Sequence, residues 1–450
     1  MTILAARYVL PISSEPLEHG AIVIKDNTIT DVGFYDEIKR RYPDEPVEDY
    51  GLAALMPGFV DCHTHLDHAI MRGIAEDLPY GRWKSEIMKA EALMDPGDWE
   101  TSALLGALEA TVSGITTIAD MTLTGATALA IQRVGLRAII YREVGTMDKS
   151  RVDESMDTAI ADIEAWRDYT DSTRVEIGIA PYNVYSCHPE LFRKVADYAA
   201  DGTPVAMHLA SSGEEYDFVK YGSSRLAVEV RDQYSEAAPL WLPTGVSPVR
   251  YVLQYRILDA PNVLAVHVTQ VDALDIVELE KRDVAIAYCP RTNAKLGMGI
   301  APVREFAEAH LRVGLGTDSP AAANRMDMFS EMRTGLLMQR ARYAKAGFLS
   351  ATEMLRTATL DGARALKMDD IIGSLEVGKQ ADLIAIDLSR SAQVPTHDPA
   401  AAIVHSSYPN DVFLTMVAGE VIYRRDEWVR VDGDDVKAAS EDIRLKLRDR

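Results

Sequence analysis

The chain has little cysteine: Cys62, Cys187 and Cys289 are the only three in 450 residues. They form no CxxC pair and are too few for a disulfide framework, so a stapled secreted fold and a cysteine-rich zinc module both fall away. Positive charge is also scarce, with 47 Lys and Arg against 69 Asp and Glu and a formal net charge of −22. Nucleic-acid binding needs a basic face for the phosphate backbone, so no nucleic-acid partner is expected. No apolar run approaches the roughly 18 residues of a membrane span, so no membrane partner is expected either. The opening stretch MTILAARYVLPISSEP lacks the charged, apolar and small-residue order of a secretory signal. A cytoplasmic protein acting on a small molecule is the expectation.

What the chain does contain is alternation. Short β-branched runs recur at 58–65, 114–120, 136–144, 175–181, 204–210, 263–268, 284–290 and 313–319, with helix-like segments such as DWETSALLGALEATVS between them. Eight strand-helix units predict an α/β fold, a closed (β/α)8 barrel of the TIM type, over residues 57–370. Residues 1–56 carry a turn at Lys25-Asp26-Asn27 between two strands, and 371–450 return to strands in ADLIAIDL and DVFLTMVAGEVIYRR before a charged terminal helix at 434–448. These two ends are expected to build one small β-sandwich domain. The connections 66–113 and 210–262 are unusually long, and long loops after barrel strands are where substrate pockets form.

Barrel chemistry sits at the C-terminal ends of the strands. His63 and His65 end the first run as HTH, His208 the fifth, His267 the sixth and Asp318 the eighth. One such histidine is ordinary; four histidines and an aspartate, each at a strand end, point to a metal. Nitrogen-rich ligation with one carboxylate suits one divalent ion, Zn(II) ahead of Fe(II), better than it suits Mg(II) or Ca(II). Such an ion lowers the pKa of water bound to it. Asp318 then touches the metal and takes the proton, while His267 hydrogen-bonds the attacking oxygen or the oxyanion.

The segments PGFVDCHTHL, MHLAS, AVHVT, CPRTNAKLG, GLGTDSPAAANRMDMFSEMR and GSLEVGKQADLIAID resemble the amidohydrolase superfamily along essentially the whole chain. The resemblance is to its cytosine-deaminase-like and triazine-hydrolase-like branch. It implies a mononuclear metal on His63, His65, His208 and Asp318, with His267 as a catalytic neighbour. EEYDFVKYGSS and WLPTGVSPVRYVLQYRIL are most similar to aminodeoxyfutalosine deaminases and, more loosely, to methylthioadenosine and adenosylhomocysteine deaminases. That implies hydrolytic deamination of an adenine-like ring, and a homo-oligomer, dimer or tetramer, is expected.

Two positions depart from that pattern. The resemblance places a proton-shuttling glutamate three residues after the fifth-strand histidine, where this chain has Ser211, and a histidine where it has Tyr182. A hydroxyl cannot hold and deliver a proton as a carboxyl does. Four readings stay open: a deaminase that recruits Glu214 or Glu215, hydrolysis of another C–N or C–X bond, a serine introduced at 211, or a metal-binding relative without catalysis. Glu214 and Glu215 read equally as first-turn acids favouring a helix N-terminus. Among candidate substrate contacts, Asp67 and His68 meet ligand hydroxyls or order their loop, and Trp83 stacks on a ring or packs. Tyr182 faces the ligand, while Arg72, Arg142 and Arg291 clamp a carboxylate or form structural ion pairs.

Overall fold

The computed structural model describes residues 1–226 and 242–448. Eight parallel strands form one sheet in strict chain order: β1 (Phe59–Thr64), β2 (Ile115–Thr122), β3 (Arg137–Val144), β4 (Val175–Pro181), β5 (Val205–Leu209), β6 (Val263–His267), β7 (Ala285–Tyr288) and β8 (Val313–Leu315). Each strand pairs in parallel with the next. β8 returns to β1 through a bridge between Thr64 and Asp318, where the Asp318 N–H donates to the His63 carbonyl at 2.8 Å. The fold is therefore the barrel expected, and its closing bridge sets the eighth-strand aspartate beside HTH.

The lumen is apolar. Val60, Cys62, Ala119, Met121, Ile139, Tyr141, Ala206, Leu264, Val266 and Cys289 pack there. Two of the scarce cysteines thus serve as small hydrophobes, and all three are free and buried. Gly316 permits the closure. A Cβ there would lie 2.9 Å from Cys289 Sγ and 3.0 Å from His63 Cβ, so any larger residue would push β8 from β1.

Strands from both ends of the chain form a second, nine-stranded mixed sheet. Its centre is the pairing of Ala53–Pro57, just before β1, with Leu383–Asp387. Arg137 at the start of β3 anchors the two parts: its Nε donates to Asp382 at 2.8 Å with both side chains buried. A bidentate buried pair of this kind is strongly destabilising to break, by about 3–5 kcal/mol. The chain ends in the helix Gly433–Arg448. No helix among the described residues is long and apolar enough to cross a membrane.

The long connection after β1 is structured, with helices at Tyr80–Glu91 and Pro96–Val112. Asp95 starts the second with a capping box shared with Asp98. In the connection after β5, Ser212 caps the helix Gly213–Tyr221 by accepting from the Glu215 N–H. Trp241, which opens the WLPTGVSPVRYVLQYRIL stretch, lies outside the described residues.

Candidate metal and active site

His63, His65, His208, His267 and Asp318 converge at the C-terminal mouth of the barrel. Three overlapping groups have ligand atoms within 4.8 Å of one another: His63, His208 and His267; His63, His65 and Asp318; His267, Cys289 and Asp318. Simple strand alternation does not produce this. Val60 and Cys62 face the lumen, so a regular β1 would turn His63 outward; instead the pairing with β2 slips between Asp61 and Thr64. Leu264 and Val266 face inward as well, and left-handed φ values of 74° at His267 and 47° at Val268 then swing His267 to the centre. Asp318 adopts φ 60°. Non-glycine residues in this region cost about 1–3 kcal/mol each and concentrate at functional sites.

Buried carboxylates hold these turns. Asp120 Oδ2 accepts from Thr64 Oγ1 at 2.6 Å and from the Leu66 N–H at 2.7 Å. Asp61 accepts from the N–H groups of His63 (3.3 Å) and Thr317 (2.9 Å) and from Thr317 Oγ1 (2.6 Å). It thereby clamps both strand ends at once.

The electrostatics favour a cation. Burial pushes the His65 and His208 imidazoles well below their usual pKa, reinforced by His63 and the other neighbouring rings. Burial also lowers His267 to about 4, against the opposing pull of Asp318. Burial alone would raise Asp318, but His63, His267 and His65 together hold its carboxyl well below the normal range. Neutral imidazoles around an ionised carboxylate are what metal ligation requires. His63 Nε2 lies 3.3 Å from Asp318 Oδ1, yet is buried without a hydrogen bond. A cation between the two would satisfy both, so the donor set fits a divalent ion.

The distal ring nitrogens are engaged. His208 Nδ1 lies 3.0 Å from the Tyr182 carbonyl, His267 Nδ1 lies 2.9 Å from Asn293 Oδ1, and His65 Nδ1 lies 3.4 Å from Glu143 Oε1. His68 stacks on His65 (5.2 Å between ring centroids), and its Nδ1 lies 3.3 Å from Ser319 Oγ.

A narrow cavity above the cluster is lined by His65, His68, Tyr80, Trp83, Tyr182 and Met298 among others. Beside it lies a chamber of about 390 Å³, bounded by Asp67, His68, Lys84, Glu91, Trp99 and Glu143. Lys84 and Glu143 also line a third space of about 190 Å³ with Tyr182 and Tyr185. A larger hollow of about 960 Å³ sits in the terminal sheet around Arg7, His19 and Tyr35 and contains none of these groups.

Of the candidate substrate contacts, the structure brings Asp67, His68, Trp83 and Tyr182 to these spaces. Asp67 Oδ2 is held by Thr122 Oγ1 at 2.7 Å, and Trp83 Nε1 donates to the Ala321 carbonyl at 3.2 Å. Tyr182 packs edge-on against His208 (4.8 Å) beneath the Lys84 ammonium (4.9 Å). Arg72, Arg142 and Arg291 line none of the three spaces. They pair with Glu109, with Asp162 at 2.7 Å and with Glu331 at 3.4 Å, respectively. Ser211 is buried; its N–H donates to Glu215 Oε2 at 2.7 Å, and Thr269 Oγ1 donates to its carbonyl at 2.6 Å. Glu215 takes the Ala210 N–H on its other oxygen at 3.0 Å, and burial pushes its carboxyl up to about 7.

Sequence reasoning missed Glu143, Lys84, Glu91 and Asn293. Glu143 carried a usable signal, since it sits at a strand end like the histidines. Lys84 and Glu91, seven apart on one helix, share a face that amphipathic spacing could have exposed.

The barrel and its ligand cluster define a metal-dependent hydrolase class. The amidohydrolase family profile matches residues 54–422, and the chain belongs to that family. It is 33% identical to a 5-methylthioadenosine/S-adenosylhomocysteine deaminase of Pelotomaculum thermopropionicum, over 96% of this chain and 94% of that one. A Moorella thermoacetica protein of the same name is 31% identical, covering 96% of each. Among solved structures, an adenosine deaminase from Xanthomonas campestris with bound zinc superposes with a TM-score of 0.87 at 28% identity, covering 100% of this chain and 99% of that one. Atrazine chlorohydrolase from Arthrobacter aurescens, complexed with zinc, shares the fold with a TM-score of 0.84 at 24% identity, covering 99% and 100%.

Proposed function

We propose that the protein is a cytoplasmic zinc enzyme that hydrolytically deaminates an adenine nucleoside, with His63, His65, His208 and Asp318 holding the ion. The observation that carries this reading is the buried His63 Nε2, without a hydrogen bond and 3.3 Å from Asp318 Oδ1, whose carboxyl is held well below its usual pKa at the centre of the histidine cluster. The relatives' names support the substrate class, and 5′-thio-substituted adenosines are its first members to test. When bound, the ion supplies Lewis-acid activation of water.

The residues do the rest. Asp318 takes the first proton of the attacking water for the ring nitrogen and, as the tetrahedral carbon collapses, moves the remaining hydroxyl proton to the amine, which leaves as ammonia. His267, its Nδ1 fixed by Asn293, presents Nε2 toward the oxygen that adds to the amine-bearing carbon. Trp83 and Tyr182 wall the narrow cavity and limit bulk water beside the reacting ring. Ser211 offers a hydroxyl in place of a carboxyl, so proton delivery to the ring depends more heavily on Asp318.

Ser211 also favours a second reading, hydrolysis of another C–N or C–X bond whose leaving group needs less proton help. A panel of adenine nucleosides against amides, carbamates, ureas and aryl halides, at matched zinc loading, separates the two. Ammonia from at least one adenine nucleoside supports deamination. Turnover confined to the other compounds overturns it.

A further inference from the structure

We propose that Glu143, at the end of β3, is a positioning residue for the metal: it fixes the His65 ring through Nδ1 and leaves Nε2 for the ion. The inference rests on the metal reading of the cluster and adds a residue which that reading does not use.

Three imidazoles of the cluster meet a different kind of partner at the distal nitrogen, through hydrogen bonds at His208 and His267 and a 3.4 Å approach of the Glu143 carboxyl at His65. His208 uses a main-chain carbonyl, which no substitution of Tyr182 removes. His267 uses the neutral amide of Asn293. Of the three, His65 alone faces a side-chain carboxyl, and a carboxyl behind a ligating imidazole fixes its tautomer and ring orientation. His65 needs such fixing, because it lies where β1 ends and the next turn begins. Its main chain, at φ −135° and ψ 83°, precedes a short 3₁₀ turn, Leu66–Met71. Its ring is stacked between His68 (5.2 Å) and His208 (5.5 Å, planes 1° apart), so its remaining freedom is rotation within that stack. An acceptor at the ring edge removes that rotation.

Glu143 is itself held. Its chain neighbour Arg142 folds back so that a guanidinium nitrogen bonds the Glu143 carbonyl while pairing with Asp162 at 2.7 Å. Burial pushes the Glu143 carboxyl up to about 8, against the pull of the Lys84 ammonium that faces it across the chamber. The same carboxyl therefore touches a metal-facing histidine on one side and lines the chamber on the other.

The test is zinc affinity, measured on metal-free protein by competition with a chromophoric chelator. Glu143→Ala removes the acceptor and is expected to weaken zinc binding about 10–100-fold, the usual cost of losing such a partner. Glu143→Gln keeps an acceptor oxygen but not an ionisable carboxyl, so its loss is smaller; it also serves if the alanine variant fails to fold. Glu91→Gln removes a charge from the same chamber without touching His65, and its zinc affinity is expected to stay within about twofold. Equal zinc affinity in wild type and a folded Glu143→Ala overturns the inference and leaves the metal reading standing. An equal loss in Glu91→Gln also overturns it, because general chamber charge would then be the cause. No stoichiometric zinc on the wild type overturns both readings.

Discussion

Asp61→Ala removes the clamp that brings the first and eighth strands to the metal cluster. The wild-type carboxylate is fully buried and accepts from two backbone N–H groups, His63 and Thr317, and from the Thr317 hydroxyl. Alanine leaves all three donors without this acceptor in a space closed to bulk water. Each buried unsatisfied donor costs about 1–3 kcal/mol, so the two N–H groups alone cost about 2–6 kcal/mol. The hydroxyl can rotate to a new partner and is discounted. Against a typical total stability of about 5–15 kcal/mol, this is a large loss. Asp61→Asn retains one acceptor oxygen and is expected to lose about 1–3 kcal/mol. Urea unfolding of the metal-free variants, with unchanged slope, measures both values. Because His63 follows the clamp by two residues and Asp318 follows Thr317 directly, zinc affinity should fall in parallel with stability. An Asp61→Ala midpoint equal to wild type would refute the clamp, and lost stability with unchanged zinc affinity would refute its coupling to the cluster.

Three further outcomes follow from the same geometry. Asn293→Ala frees the His267 ring at Nδ1 and should lower kcat about 10–100-fold with KM little changed, as read in steady-state kinetics; an unchanged kcat would remove Asn293 from the mechanism. Ser211→Glu should raise ammonia release from adenine nucleosides by on the order of 10²-fold or more if proton delivery limits the wild type, and no rise would show that it does not. Burial raises the Glu215 carboxyl from 4.5 to about 7, so the folded state holds a proton that the unfolded chain releases between those values. Its contribution to stability is complete below the lower value and is lost as pH rises through the upper one. Glu215→Gln should flatten that slope in urea unfolding at several pH values, and an unchanged slope would exclude Glu215 as its source.

The eight barrel strands were legible because each is a short run rich in β-branched and apolar residues bounded by turns, and burial of both faces keeps the centres of such runs largely apolar. HTH, His208, His267 and Asp318 were legible because barrel chemistry gathers at strand ends. Their convergence was not: it depends on a register slip in β1 and on left-handed backbone at His267 and Asp318, which no alternation pattern encodes. Arg142 and Arg291 looked like substrate clamps because their partners, Asp162 and Glu331, lie 20 and 40 residues away and meet them only in the fold. Glu143 was passed over for the converse reason: its partner His65 is remote in sequence, and a lone glutamate beside an arginine reads as a local ion pair.

The account stands most directly on ammonia release from 5′-methylthioadenosine by protein carrying one zinc, by chelated protein, and by chelated protein given zinc again. The expected result is release by the first, loss in the second and recovery in the third, with Asp318→Asn inactive at full zinc loading. Ammonia release that survives chelation, or none from any adenine nucleoside at one zinc per chain, would contradict it.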